Sequence, residues 1–196
     1  MELSPLPFSS RWLGTPADAS ADGDSLKIVA GPRSDWFTHP GTGEAKLDAP
    51  GLVGRTGGDF VFSARVEVGF ASRFDAGVLA LWHDERTWAK LCFEYSPDGE
   101  AMVVSVVTRV TSDDCNSFVV TGNAVWLRIS RIGNEFAFHA STDGLAWRLV
   151  RHFALTPEDE IEVGFLAQSP TGDGCTATFS EIRFLATTLE DLRSGV

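Results

Sequence analysis

Positive charge is scarce in this chain: sixteen Lys and Arg stand against twenty-seven Asp and Glu, a formal net charge of −11 over 196 residues. A field of that sign repels phosphate backbones and anionic headgroups, so neither nucleic acid nor a membrane is expected as a partner. No apolar run approaches the roughly 20 residues that span a bilayer, and the opening MELSPLPFSSRW lacks the basic start and apolar stretch of a secretion signal. A cytoplasmic protein is the expectation. Cysteine is sparse too, since Cys92, Cys115 and Cys175 form no CxxC or Cys/His cluster and are expected to be free thiols. His39, His83, His139 and His152 stand singly, without an acidic or histidine neighbour at ligand spacing. The glycine-rich stretch 51–58, GLVGRTGG, lacks the Lys-Ser/Thr ending of a phosphate loop. No cofactor and no metal are expected, with an oxygen-rich Ser112, Asp113, Asp114 and Asn116 read as a solvated turn ahead of a calcium site. What the chain does hold is apolar side chain, 43% of its residues, enough for the core of one domain.

The apolar residues fall with period two. Phe60, Phe62, Ala64, Val66, Val68 and Phe70 alternate with Ser63, Arg65, Glu67 and Gly69, which is the signature of a strand with one buried face. The alternation recurs at Ala89, Leu91, Phe93 and Tyr95, at Val125, Leu127 and Ile129, at Phe136, Phe138 and Ala140, and at Ile161, Val163, Phe165 and Ala167. Turn signals separate these runs at Pro97-Asp98-Gly99, Gly133-Asn134, Asp143-Gly144 and residues 170–174. At least about ten short strands with no helix-length pattern predict an all-β fold, a two-sheet antiparallel sandwich. Residues 76–82 and 102–110 are apolar on both faces, so something must cover their second face. The phase slip between Phe179 and Ile182 predicts a bulge. A single domain is expected over residues 4–187, with a short tail at 188–196 that reads as briefly helical and fraying.

Three segments carry a resemblance: DAGVLALWHDERTWAKLCFEY from residue 75, VWLRISRIGNEFAFHASTDGLAW from residue 125, and VGFLAQSPTGDGCTATFSEIRF from residue 163. The more particular strings are Trp88, Lys90 and Glu94 as Trp-x-Lys-x-x-x-Glu, and residues 167–174. Together they resemble the concanavalin A-like domain-of-unknown-function family that includes the yeast regulation-of-enolase protein. The resemblance implies a jelly-roll of two curved sheets, the architecture of legume lectins and many glucanases. Members usually carry a Ser-Asp-Trp string after the following strand, where this chain has Ser112, Asp113, Asp114 and Cys115.

Period two puts Trp88, Lys90, Cys92 and Glu94 on the face opposite to Ala89, Leu91 and Phe93. If Met102, Val104, Val106 and Val110 form the inward set of the next strand, Arg109 joins Lys90 and Glu94 on the outer face. In a jelly-roll that face is the concave one. The expected ligand site is therefore Trp36, Trp88, Lys90, Glu94, Arg109 and Asp113, with carboxylates accepting hydroxyl hydrogen bonds and tryptophan stacking on a sugar. The alternative for Lys90 and Glu94 is a salt bridge across a half-buried sheet. A glycosidase needs two carboxylates about 5 to 9.5 Å apart, and Cys92 and Ser96 stand where a strand partner for Glu94 would be. These observations favour non-catalytic binding of a small polar, carbohydrate-like ligand. A hydrolase or lyase using Glu94 with a loop carboxylate, and a regulatory module with a protein partner, are the other readings.

Overall fold

A computed structural model describes Leu3 and residues 6–156 and 160–196. The expected domain start at residue 4 lies outside the described residues. Among them run sixteen strands, numbered here in chain order, and no helix. The first sheet is ordered β1 (Ser10–Leu13), β6 (Gly51–Thr56), β15 (Ile161–Gln168), β8 (Ala76–Asp84), β9 (Thr87–Tyr95), β10 (Ala101–Arg109), β11 (Thr111–Val119). The second is ordered β14 (Arg148–Ala154), β13 (Glu135–Ser141), β12 (Ala124–Ile132), β7 (Phe60–Gly69), β16 (Cys175–Leu185), β3 (Ser25–Ala30), β2 (Asp18–Asp22). Both are antiparallel throughout, and they pack face to face as a jelly-roll sandwich.

The alternating residues of β7, β9, β12 and β13 meet between the sheets: Phe60, Phe62, Leu91, Phe93, Leu127, Ile129, Phe136 and Phe138 are all fully buried there. Gly77 on β8 lets the sheets approach, because a Cβ there would stand 2.6 Å from Val66 Cγ1 and 3.1 Å from Ala177 Cβ of the opposite sheet. Gly77→Ala should therefore lower stability by about 2 kcal/mol through overpacking. Urea unfolding would show it, and an unchanged midpoint would mean that the sheets can part at no cost. The slip in β16 is a bulge between Ser180 and Arg183, with Glu181 at φ 50°.

The first sheet is covered on its second face as well. A hairpin of β4 (Trp36–Thr38) and β5 (Ala45–Leu47) lies over it, and Trp36 and Ala49 join Val78, Ala80, Trp82, Trp88, Cys92, Val104 and Val106 in a second apolar cluster. This explains why β8 and β10 are apolar on both faces.

The tail departs from expectation. It forms one turn closed by Gly195 N–H to Asp191 O and no helix. It is also pinned rather than fraying: Arg128 donates to Gly195 O at 2.7 Å, and the His139 Nε2–H donates to Leu192 O at 2.7 Å. A buried guanidinium and a buried imidazole on the outer face of the second sheet have donors to satisfy, and the tail's carbonyls take one from each, while Arg128 Nε stays without a partner.

Candidate functional site

The outer face of the first sheet carries two polar rows. In one, Lys90 on β9 lies beside Val106 on β10, which lies beside Asp114 on β11. In the other, Gln168 on β15, Ala76 on β8, Glu94 on β9 and Met102 on β10 are successive cross-strand neighbours. Above these rows opens a cleft of about 190 Å³ lined by Lys90, Glu94, Asp114, Gln168, Asp35, Phe37, Phe74 and Pro170. Lys90, Glu94, Asp114 and Gln168, with Val106 among them, form its floor, and the aromatic rings and the proline form its walls.

Each wall is fixed from below. Asp75, fully buried, accepts from the backbone N–H groups of Ala71 and Ser72 at 2.9 and 2.8 Å and from the Ser169 hydroxyl at 2.6 Å. It thereby ties the loop of Phe74 to the loop of Pro170. Phe74 sits at φ 67°, a conformation that costs an L residue energy and persists only when surroundings hold it. Its N–H donates to Tyr95 O at 2.7 Å and its carbonyl accepts from Gln168 Nε2 at 3.2 Å. Opposite, the hairpin is seated by Trp36, whose indole N–H reaches Ala49 O at 2.9 Å, and by Thr38 N–H, which donates to Ser112 Oγ at 2.9 Å.

Lys90, only 2% exposed, donates to Gln168 Oε1 at 2.8 Å and to Asp35 Oδ1 at 3.3 Å. It turns to these two rather than forming the expected bridge to Glu94. Burial opposes its ammonium, but Asp35, Cys92 and Glu94 outweigh that, and its pKa is held above the ordinary value. Burial chiefly pushes the Glu94 carboxyl up to about 8, with Asp114 and Asp35 adding to the rise and Lys90 opposing it. Asp114, on the edge strand with one side in water, is raised as well, by partial burial first. The Cys92 thiol is driven well above its usual range by burial, which outweighs the nearby ammonium, so it is an inert core thiol. All three cysteines are free.

Of the expected site residues, Lys90 and Glu94 line the cleft and four do not. Trp36 and Trp88 are 1% and 0% exposed, their rings 6.0 Å apart, and both are packed beneath the hairpin with no face left for a ligand. Arg109 pairs with Thr87 and points to the other side, donating to Ala154 O at 3.3 Å. The inward set on β10 is Val103 and Val107, while Met102, Val104 and Val106 face outward. Val110, expected to extend that set, is the exposed turn residue at φ 75°. Asp113 faces away and pairs with Arg151 at 2.9 Å, and its neighbour Asp114 takes the cleft position. The acidic stretch is a strand and no turn, so Ser112 and Asp114 alternate with Asp113 and cannot converge on one cation.

A family model covers residues 12–186, the whole sandwich with its cleft. The chain belongs to the family described as Protein of unknown function (DUF1349). No curated protein matches it. A functionally unknown protein from Saccharomyces cerevisiae has a similar structure, with 28% identity and a TM-score of 0.86 over 96% of this chain and 100% of that one. The sandwich also recurs in a bifunctional GH43-CE protein of Bacteroides eggerthii, at 17% identity and a TM-score of 0.73, covering 94% of this chain and 24% of that one. In a xylan beta-1,4-xylosidase from Bacillus halodurans C-125 it recurs at 14% identity and a TM-score of 0.68, covering 83% and 33%. This DUF1349 chain thus spans a third or less of those two proteins, which share its fold.

Sequence reasoning missed Asp35, Phe37, Phe74 and Gln168. One signal was present: a Ser-Asp-Trp string occurs at Ser34, Asp35 and Trp36, where its aspartate meets Lys90 and its tryptophan caps the sheet. The raised Glu94 carboxyl makes this DUF1349 domain sensitive to pH. A carboxyl whose folded pKa is about 8 against an ordinary 4.5 stabilises the fold fully below about 4.5, and that contribution is lost as pH rises through about 8. Relative to wild type, Glu94→Gln should therefore gain about 2 kcal/mol between about pH 5 and pH 9, less than the full shift implies because water enters the cleft. Parallel urea titrations at the two pH values measure it, and a pH-independent difference would refute it.

Proposed function

We propose that this domain binds a small polar, carbohydrate-like ligand in the cleft over Lys90 and Glu94, without catalysis of its own. The observation that carries this reading is a half-enclosed cleft with a polar floor and two aromatic walls, the arrangement that orients hydroxyls below and accepts an apolar sugar face at the side. Its volume of about 190 Å³ suits one small ligand rather than a chain. The recurrence of the sandwich within a protein named as a xylosidase makes xylose a sensible member of a test panel.

Glycoside cleavage is less well supported. Asp35, the loop carboxylate of the cleft, is tied to the Lys90 ammonium at 3.3 Å, where a glycosidase needs a pair of carboxyl groups about 5 to 9.5 Å apart that are free to act as acid and as base or nucleophile. The regulatory role that the enolase-associated resemblance implies would use a surface outside the cleft, and cleft variants would leave it intact. The test is calorimetric titration with a monosaccharide panel that includes xylose, glucose and their amino derivatives, alongside turnover assays on aryl glycosides. Saturable binding abolished by Gln168→Leu, without turnover, is the expected result. Turnover, or binding indifferent to that substitution, overturns the reading.

A further inference from the structure

The cleft is unbalanced in charge and in hydrogen-bonding character, and this narrows the ligand. Three carboxyl groups, Asp35, Glu94 and Asp114, line it against the single ammonium of Lys90. That ammonium is already committed to Asp35 and Gln168. Gln168 has in turn directed one of its two amide N–H groups to Phe74 O, which leaves at most one for the cleft. Arg151, the other cation that acts on Asp114, is held by Asp113 at 2.9 Å. Among the described residues nothing donates a hydrogen bond to the Glu94 carboxyl, although it lines the cleft and sits at its floor. The lining therefore holds more acidic groups and acceptor oxygens than donors: beyond one N–H each of Lys90 and Gln168, the remaining side-chain donor at neutral pH is the proton of Glu94 itself, which a guest cation can displace. A neutral polyol uses such a lining poorly, because each hydroxyl donates one hydrogen and leaves its own lone pairs without a partner. An ammonium donates three and carries the missing charge. The rings of Phe37 and Phe74 beside the carboxylates add the π faces on which cations rest.

We propose that the ligand carries a positively charged amine, as an amino sugar or hydroxylated amine does, with its ammonium on Glu94 and its carbon skeleton between Phe37 and Phe74. This rests on the cleft being the binding site, and it specifies the charge of the guest. The groups that face Glu94 are Lys90 and Cys92 on its own strand, Asp114 from β11 and Asp35 from the hairpin. Of these only Lys90 is positive. An arriving cation therefore relieves both the half-buried carboxyl and its acidic neighbours, and the raised affinity of Glu94 for a proton is the same unmet demand filled by solvent.

Isothermal titration of the whole chain at about pH 7 with glucosamine, N-acetylglucosamine, glucose and ethanolamine tests this. Glucosamine is expected to bind at least about tenfold more tightly than the two neutral sugars. Its binding should release a proton, seen as a heat that varies with the ionisation enthalpy of the buffer. In Glu94→Gln, which preserves shape, the margin should fall to about twofold and the proton release should vanish, while the thermal midpoint is not lowered. Glucose binding as tightly as glucosamine, or a margin that survives in Glu94→Gln, overturns the charge assignment and leaves the carbohydrate reading standing. Ethanolamine binding with no sugar binding supports the charge assignment and overturns the carbohydrate reading. No binding by any of the four at millimolar concentration overturns both.

Discussion

Replacing Trp36 by alanine is expected to destabilise the protein by about 4 kcal/mol, within the range for truncating a buried large aromatic. The ring is 1% exposed and packs against Trp82 at 4.8 Å and Trp88 at 6.0 Å between centroids. A Cβ at Gly51 would stand 2.8 Å from its Cζ2, so the backbone of β6 is shaped around it too. Loss of the indole also leaves Ala49 O without its donor. Urea unfolding followed by tryptophan fluorescence reads the effect. A change below about 1 kcal/mol would show that the hairpin is carried by its other anchors and that this residue merely fills space.

Lys90→Met should cost about 3 kcal/mol at neutral pH. Removing one partner of a buried ion pair typically costs about 3 to 5 kcal/mol because the other charge is left uncompensated. The lower end applies here, since the Asp35 side chain keeps 17% of its surface in water. Gln168 Oε1 loses its only bond from the ammonium, and the three acids are left facing one another. Combining Lys90→Met with Asp35→Asn should restore about half of the loss, since neutralising the abandoned carboxylate removes the larger part of the cost. Additivity of the two substitutions in a double-mutant cycle would mean that the pair is not coupled and that Lys90 serves by packing its stem alone.

What could be read from the sequence depended on contrast between neighbouring positions. On β9 polar Lys90 and Glu94 alternate with Leu91 and Phe93, so the strand, its phase and half of the cleft floor follow from period two. On β10 the residues on both sides are valines, because the hairpin covers one face and the second sheet the other. Two apolar faces give no phase, and the wrong choice placed Arg109 at the site. Asp113 and Asp114 are adjacent, so the same uncertainty decided between them. The remaining lining could not be read locally at all: Phe37 on β4 and Phe74 and Pro170 on two loops lie far apart in the chain, the loops joined by Asp75 and Ser169 and the hairpin brought beside them by the Ser34–Ser169 bridge. Trp36 and Trp88 misled because a tryptophan that caps a sheet and one that stacks on a ligand have the same sequence signature.

The hairpin that forms one wall of the cleft has no ladder of backbone hydrogen bonds to the sheet beneath it. It is anchored by Trp36, by the contacts of Asp35 and Thr38, and by a single bridge between Ser34 and Ser169. Such a unit opens at lower free energy than the strands around it. Its amides should therefore exchange with deuterium through a local opening that leaves β9 and β15 protected, and the width of the entrance becomes a property set by side-chain anchors rather than by the sandwich.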